Sequence, residues 1–170
     1  TGPQETPVVE SGGIPDVTVL PLDASGRDAV GLLPGSVTGL PSSLWQASKP
    51  QVLAGLIARQ PQEALPAMQA LLYTLLLAEA NPPLDADTSD VLLLARVDKL
   101  IELGALEQAN ALLERAAPNT RPLFARWFDV TLLLGQEQRA CDALQSAPHL
   151  APDYAARIFC SARAGDWATA

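Results

Sequence analysis

A repeated spacing of glycine and alanine most strongly constrains the fold of this chain of 170 residues. In three segments a glycine is followed five residues later by an alanine, and the glycines are 31 and 30 residues apart. Glycine suits the turn between packed helices because it tolerates a positive φ, and a small alanine lets crossing helices approach closely. The spacing therefore predicts repeated helical hairpins. The pairs are Gly104 and Ala109, Gly135 and Ala140, and Gly165 and Ala170.

Further positions of the three segments align in the same register. Large apolar residues stand eleven and seven positions before each glycine, and leucine and alanine recur after the first two glycines. Agreement at several positions predicts an α-solenoid, in which each repeat buries its apolar face against its neighbours. The aligned sets are Leu93, Phe124 and Tyr154; Val97, Phe128 and Ile158; Leu113 and Leu144; Ala116 and Ala147.

Helical patterns and breakers after Ser48 predict an all-α fold of stacked antiparallel helical hairpins. Short loops require successive helices to be antiparallel neighbours. The first helix is expected to begin with a capping box, in which Ser48 accepts from the backbone and Gln51 reaches back. The expected ranges are 48–59, 65–80, 89–103, 105–117, 121–134, 136–147, 151–164 and 166 onward.

Composition divides the chain near residue 48. Residues 1–47 are rich in proline and glycine and are expected to form a tail and an extended N-terminal arm, and 48–170 to form the helical-repeat domain. The tail, 1–13, has no hydrophobic period, whereas 16–22 alternates weakly and predicts a short edge strand or extended segment.

Apolar side chains of the arm predict where it lies. Leu40, Leu44 and Trp45 are expected to pack on the first helices, because burial of each large apolar side chain is favourable. Because the sequence has neither an initiator methionine nor an apolar leader, we expect it to begin inside a longer precursor. We also expect the repeat domain to continue past Ala170, where the last hairpin is unfinished.

Two resemblances follow from these residues. From about Ser89 to Ala170 the chain resembles the tetratricopeptide-repeat family, and the turn that begins Gly165-Asp166-Trp167 looks especially like the family's turn. The repeats are shorter than that family's roughly 34 residues, and large side chains replace the small residue midway along the first helix. The resemblance implies a right-handed solenoid whose concave face binds a peptide or partner subunit.

Three runs, at 39–45, 75–80 and 126–130, are similar to a group of alphaproteobacterial proteins labelled antifreeze-glycopeptide-related. The label carries no mechanism, and we infer no antifreeze activity from it.

No arrangement of residues points to catalysis, a cofactor or a metal. His149 is the only histidine and falls in a predicted loop, so a hydrolytic triad has no evident base. One histidine and two cysteines do not complete a structural zinc site. A net charge of −8 argues against nucleic acid and anionic membrane surfaces as partners, and no apolar run reaches the roughly 20 residues of a membrane span.

Acidic residues recur on the first helices of the repeats. Asp98 and Asp129 occupy equivalent positions, and Glu102 lies one turn beyond Asp98. In the tetratricopeptide register these residues face the concave surface, and Phe159 is a further candidate there. Two interpretations stay open: a solvated face, or an acidic groove for a neutral or basic segment.

We expect Trp127 in the core, and arginines occupy the equivalent position in the two neighbouring repeats. Arg96 and Arg157 stand there in the neighbouring repeats. An arginine at a core position must either reach solvent with a buried stem or pair with a carboxylate.

Two cysteines fall on successive helices at nearly equal distances from the connecting loop. Cys141 and Cys160 should therefore lie at the same height, but counting does not settle whether their side chains face each other. Two buried thiols and a disulfide both stay open, and a disulfide would indicate an oxidising compartment such as the periplasm.

The pattern as a whole predicts a protein-interaction scaffold without catalysis, located in the periplasm or cell envelope, with the cytoplasm as the alternative. The alternative function is the helical superstructure of a cell-wall-acting enzyme whose catalytic part lies outside this chain; a regulatory module of an envelope protein is a third. We expect a second molecule or further chain to cover the apolar face of the last repeat, around Ile158, Phe159 and Ala162.

Overall fold

The computed structural model of the protein describes residues 26–166 and Ala168, and this part is all-α. Within these residues the structure has eight α-helices and no strand, only an isolated parallel bridge between Leu33 and Ala78. Two 3₁₀ turns cover Arg27–Ala29 and Pro148–Leu150. The helices are α1 (Gly35–Thr38), α2 (Pro50–Ala58), α3 (Pro66–Leu77), α4 (Val91–Glu102), α5 (Leu106–Ala116), α6 (Arg121–Leu133), α7 (Glu137–Ser146) and α8 (Tyr154–Arg163).

The helices α2 to α8 correspond to the first seven that the sequence predicts, and their ends differ by three residues or fewer. The largest differences have local causes. α3 stops at Leu77 because the backbone beyond it pairs with Leu33, whose carbonyl accepts from Glu79 at 2.8 Å. α8 starts late because Asp153 is its N-cap and accepts from the amide of Ala156. The predicted eighth helix and the predictions for 1–13 and 16–22 lie outside the described residues, except for Asp166 and Ala168.

The prediction of a capping box at the start of α2 is wrong. Lys49 is the N-cap, and no side chain caps this end. The amide of Ser48 instead donates to the carbonyl of Trp45 at 3.2 Å in the preceding turn. Ser48 therefore lies one residue outside the helix, too early for its hydroxyl to serve as the N-cap.

The three repeated glycines form the same turn. Gly104, Gly135 and Gly165 all have positive φ, between 69° and 80°. Each donates to the carbonyl three residues earlier, and the next residue donates to the carbonyl five residues earlier, which is the Schellman pattern. The prediction of a left-handed glycine at each turn is confirmed.

The core follows the aligned positions, and α4 lies at its centre. α4 packs against α2, α3, α5 and α6, and the later helices pack on their neighbours in chain order. Tyr154 differs from its aligned partners and is exposed, because it begins α8 rather than lying within it. Trp127 is buried and packs edge-on against Phe124, as expected of a core residue. The aligned residues buried in this core include Leu93, Val97, Leu113, Phe124, Phe128 and Leu144.

Residues 26–47 lie against the helices. Trp45 is buried in a cluster with Leu53, Ala80 and Leu92, and Leu44 packs against that cluster. Asp28 is buried, and its carboxylate accepts from the amide of Leu93 at 2.8 Å. Because the N-cap Asp90 binds Arg27 with its carboxylate and caps no amide of α4, a carboxylate 65 residues away in sequence satisfies an amide of the first turn.

Two buried cations of α4 hold the ends of α2 and α3. Arg96 is fully buried and donates to the carbonyls of Leu76, Ala78 and Val30 at 2.7–2.9 Å. Neither sequence-based alternative for Arg96 holds, since backbone carbonyls satisfy its guanidinium. Burial lowers the pKa of Arg96 to about 10, and nearby Asp28 opposes that shift.

Lys99 holds the C-terminal end of α2 in the same way as Arg96 holds that of α3. Its ammonium donates to the carbonyls of Ala58 and Gln60 at 3.2 and 2.9 Å and pairs with Glu102. α2 and α3 have no basic residue in their own last turns, so α4 supplies the positive charge that helix C-terminal ends favour.

A disulfide joins α7 to α8. Cys141 and Cys160 are both buried, and their Cα atoms lie 5.2 Å apart. Of the two alternatives left open by the sequence, the structure has the disulfide.

Candidate functional site

Two of the four predicted binding residues share a groove. Asp98 and Glu102 line a depression of about 460 Å³ between α2 and α4, together with small residues such as Ala54 and Ala58. This places the two acids one helical turn apart on one face of α4, as their spacing predicts.

Both carboxylates are already paired within the protein. Asp98 accepts from Nε and Nη2 of Arg126 at 2.8 and 3.0 Å. Glu102 pairs with Lys99 at 2.6 Å and accepts from Gln62 at 3.0 Å. The hydrogen bonds from Lys99 and Gln62 lower the pKa of Glu102. The negative charge available to a basic segment is therefore smaller than the sequence indicates.

Asp129 lies beyond this pair. Partial burial and the charge of Asp153 raise the pKa of Asp129, while Arg126 opposes the shift. Arg126 thus stands between two carboxylates, and its own pKa is raised, chiefly by the hydrogen bond from its guanidinium to Asp98. A row of charged side chains crosses from α4 to α6.

Phe159 lies in a different setting. Its ring meets that of Phe128 edge-on at 6.3 Å, and the guanidinium of Arg163 lies 5.8 Å from its centre. It keeps 38% of its surface exposed. Phe159 therefore belongs to the apolar end of the last hairpin, where Ile158 and Ala162 are half-buried.

A second groove, which the sequence analysis did not identify, separates α2 from α3. It has a volume of about 230 Å³, and Gln60 is its one lining residue that is not hydrophobic. Each helix turns an apolar stripe of period three to four toward the gap. The lining residues are Trp45, Leu53, Leu56, Ile57, Gln60, Met68, Leu71, Leu72, Leu75 and Leu76.

The rim of this groove is apolar as well. Large side chains along both helices stay between 45% and 74% exposed, the most exposed being Leu65. α2 and α3 contain no charged residue, and between Pro50 and Leu77 only Arg59 and Glu63 are charged. We call this surface the α2–α3 face. Its exposed members are Val52, Leu56, Leu65, Met68 and Leu71.

A signal for this face is present in the sequence. The apolar run from Ala64 to Ala78 lacks charge, whereas amphipathic surface helices normally carry charged residues on one side. What the sequence could not supply is the separation of the two helices. Since α2 and α3 both rest on α4, their apolar stripes flank a gap rather than closing on each other.

Among residues 26–166, no three histidine, cysteine, aspartate or glutamate side chains lie close enough to hold a metal ion. None of the helices in the described part combines the length and the apolar character that crossing a membrane requires. No family model, curated protein or solved structure matches the chain.

Proposed function

We propose that this protein is a non-catalytic interaction scaffold that binds an apolar helical segment of a partner protein in the groove between α2 and α3. The observation that carries the proposal is the α2–α3 face itself: a groove with an apolar lining, edged by exposed large side chains on helices without charge. A monomer gains nothing by leaving such side chains in water, and contiguous exposed apolar patches mark interaction surfaces.

The shape of the groove favours a helix as the bound segment. Met68, Leu71, Leu72 and Leu75 recur at intervals of three and four along α3. Leu53, Leu56 and Ile57 do so along α2. Two apolar stripes with a gap between them suit helix-in-groove recognition, in which the ligand anchors residues at i, i+3, i+4 and i+7.

The acidic row is a weaker candidate for the same role. Asp98 and Glu102 are paired with Arg126 and Lys99, so a basic ligand would have to compete with ion pairs that already exist. We therefore assign Asp98, Glu102 and Asp129 a secondary role, as flanking charges that favour a partner with a neutral or basic polar side.

We further propose that the helices form a right-handed solenoid of tetratricopeptide type. The identical glycine turns support it, as does the packing of α4 on both α2 and α6. The Cys141–Cys160 disulfide supports a location in the periplasm or cell envelope. Mass spectrometry of unreduced protein from its native compartment tests that location, and two free thiols there would contradict it.

A labelled peptide tests the groove directly. The probe is an 18-residue amphipathic helix with leucine on one face and glutamine on the other, and fluorescence anisotropy measures its binding. We expect Leu71→Glu to weaken binding by about tenfold or more, because one buried leucine contributes about 1.5–3 kcal/mol.

Leu133→Glu is the matched control. Leu133 is 63% exposed on α6, away from the groove, so this substitution adds the same charge without touching the site. A peptide with the same residues in scrambled order controls for non-specific adsorption. Equal binding to both variants, or equal binding of the scrambled peptide, would show that the α2–α3 groove is not a helix-binding site.

A further inference from the structure

We infer that the Cys141–Cys160 disulfide makes the docking of α8 redox-sensitive. When a dithiol reductant opens the bridge, α8 separates from α7, while the helices before α7 keep their fold. This switch is separate from the α2–α3 groove, which involves the first helices of the chain.

Of the helices from α4 to α8, α8 has the fewest buried residues. Along its ten residues only Ala156 and Cys160 are buried, and both have small side chains. α6, by contrast, buries large side chains such as Phe124 and Phe128. Because the stabilisation from apolar burial scales with the area removed from water, two small side chains hold a helix weakly. One of these two is itself half of the disulfide.

The other contacts of α8 lie at the surface. Arg163 pairs with Glu137 at 3.0 Å, and both side chains are partly exposed to water. The ring of Phe159 meets that of Phe128 edge-on, but Phe159 itself is exposed. Exposed ion pairs contribute little to stability, and isolated helices shorter than about 12–15 residues are marginal in water. Without the covalent bond, α8 should therefore separate from α7 and lose its helical structure.

α7 has attachments that do not need the bridge. It packs against α6 and against the 3₁₀ turn Pro148–Leu150, and Leu144 is buried in the main core. Ala151, directly after that turn, is buried as well. The segment that reduction releases therefore begins after Ala151. Its release exposes the side of α7 that carries Cys141 and the ring edge of Phe128.

A depression at the protein surface gives a reductant access to the bridge. It has a volume of about 310 Å³, and Cys160 lines it together with Arg157 and Ser161. A thiolate of the dithiol attacks Sγ of Cys160, the S–S bond breaks, and Cys141 leaves as a thiolate that takes up a proton. The second thiol of the reductant then displaces Cys160 from the mixed disulfide. Two electrons and two protons have passed to the cystine, and the reductant leaves as a disulfide.

Hydrogen exchange of the full chain, followed by mass spectrometry, tests the switch. We expect dithiothreitol to speed exchange in residues 154–163 by about 100-fold or more, the factor that the chain-entropy model gives for losing a bridge of this span. α7 should lose part of its protection, and exchange in α4 to α6 should change by less than about twofold. Oxidised glutathione should restore the protection of α8, because it re-forms the bridge.

Alkylation by iodoacetamide gives a second readout. In reduced wild-type protein without urea, both thiols should react nearly as fast as in urea-unfolded protein, because separation of α8 exposes them. Cys141→Ala with Cys160→Ala should exchange like the reduced wild type, with or without dithiothreitol. Oxidised Arg163→Ala is the matched control and should keep α8 protected, since it removes only the exposed ion pair with Glu137.

Three results would overturn the inference. The first is a bridge that dithiothreitol does not open in the folded protein. The second is an α8 that keeps its protection after reduction, with thiols that do not react, since α8 would then dock through its side chains alone. The third is protection lost equally from α4 to α8, because the bridge would then stabilise the whole fold rather than control one helix.

Discussion

The two ends of the helical chain are attached to α4 by different means. The hairpin of α2 and α3 contributes three buried residues from its helices, whereas α4 alone buries six. Arg96 and Lys99 hold this hairpin by its backbone carbonyls. Leu53 and Leu76 add apolar packing to this attachment. The later helices pack through apolar side chains in register, and a disulfide ties α7 to α8.

The difference shows why the exposed face is at the first end. Arg96 and Lys99 fix the C-terminal ends of α2 and α3 without requiring their apolar stripes to be buried against each other. The exposed side chains of those stripes, such as Leu56 and Leu71, stay free for another molecule. In the later helices the next helix in the chain covers the same kind of stripe. An apolar surface can therefore either pack inside the protein or bind another molecule, but not both.

Arg96→Met should have the largest effect, because it removes the buried cation that holds the end of α3. Methionine fills much of the volume but leaves the carbonyls of Leu76, Ala78 and Val30 buried without a donor. We expect a loss of ~4 kcal/mol in the free energy of unfolding, measured by urea titration with circular dichroism.

Arg157→Met is the matched control, since Arg157 occupies the equivalent position two repeats later, on α8, and is exposed. Its loss should stay within about 0.5 kcal/mol. Equal losses from the two variants would mean that the hydrogen bonds of Arg96 contribute little.

Removing the disulfide tests the other end. Cys141→Ser with Cys160→Ser should lower the free energy of unfolding by about 3 kcal/mol, as the chain-entropy model gives for a loop of this size. Hydrogen exchange should place the loss of protection in α7 and α8, and α2 and α3 should exchange as before. Reduced wild-type protein serves as the control and should lose the same amount. Loss of protection spread evenly over both ends would contradict their independent attachment.

The repeat register made the later helices predictable. Gly104, Gly135 and Gly165 mark the turns, and the aligned large residues before them identify most of the core. These signals are local or periodic, so one sequence contains them. Tyr154 aligns with these core residues but is exposed, because it stands at the start of a helix, where no neighbouring helix covers it.

The attachments of the first hairpin were not predictable. The position of Arg96 in the repeat does not show which backbone carbonyls it binds. These lie at the C-terminal end of α3 and at Val30, 20 and 66 residues away in sequence. The ion pairs of the candidate site were not predictable for the same reason. Asp98 and Glu102 were placed on one face of α4, but their partners Arg126 and Gln62 come from other elements.

Two glycine substitutions should move stability in opposite directions. Gly135→Ala should cost about 1 kcal/mol, because φ at this turn is 69° and an L side chain is strained there even though space is open. Gly55→Ala should stabilise by about 0.5–1 kcal/mol, because Gly55 lies inside α2 and its added methyl would meet only Arg59 at 3.6 Å. Thermal unfolding monitored by circular dichroism compares the two. If Gly135→Ala stabilised the protein, the positive φ of the repeated turn would not be what requires glycine there.

The smallest expected effect is a pH dependence at the first end. Burial raises the pKa of Asp28, with Asp90 adding to the shift and Arg96 and the amide of Leu93 opposing it. Between the ordinary carboxyl pKa near 4 and the raised value, the folded state holds more protons than the unfolded one, so the contribution of Asp28 to stability falls as pH rises.

Asp28→Asn isolates this contribution, because the amide oxygen can still accept from Leu93 while the charge is gone. Urea titrations of both proteins across pH 4–7 give the difference in their free energies of unfolding. Carboxylates that do not interact with Asp28, such as Glu102 with its lowered pKa, contribute equally to both proteins and cancel. The difference should shift in favour of Asp28→Asn as pH rises through this window. A shift in favour of the wild type would mean that attraction to Arg96 outweighs the burial of Asp28, and that an ion pair between the N-terminal segment and α4 stabilises the fold at this end.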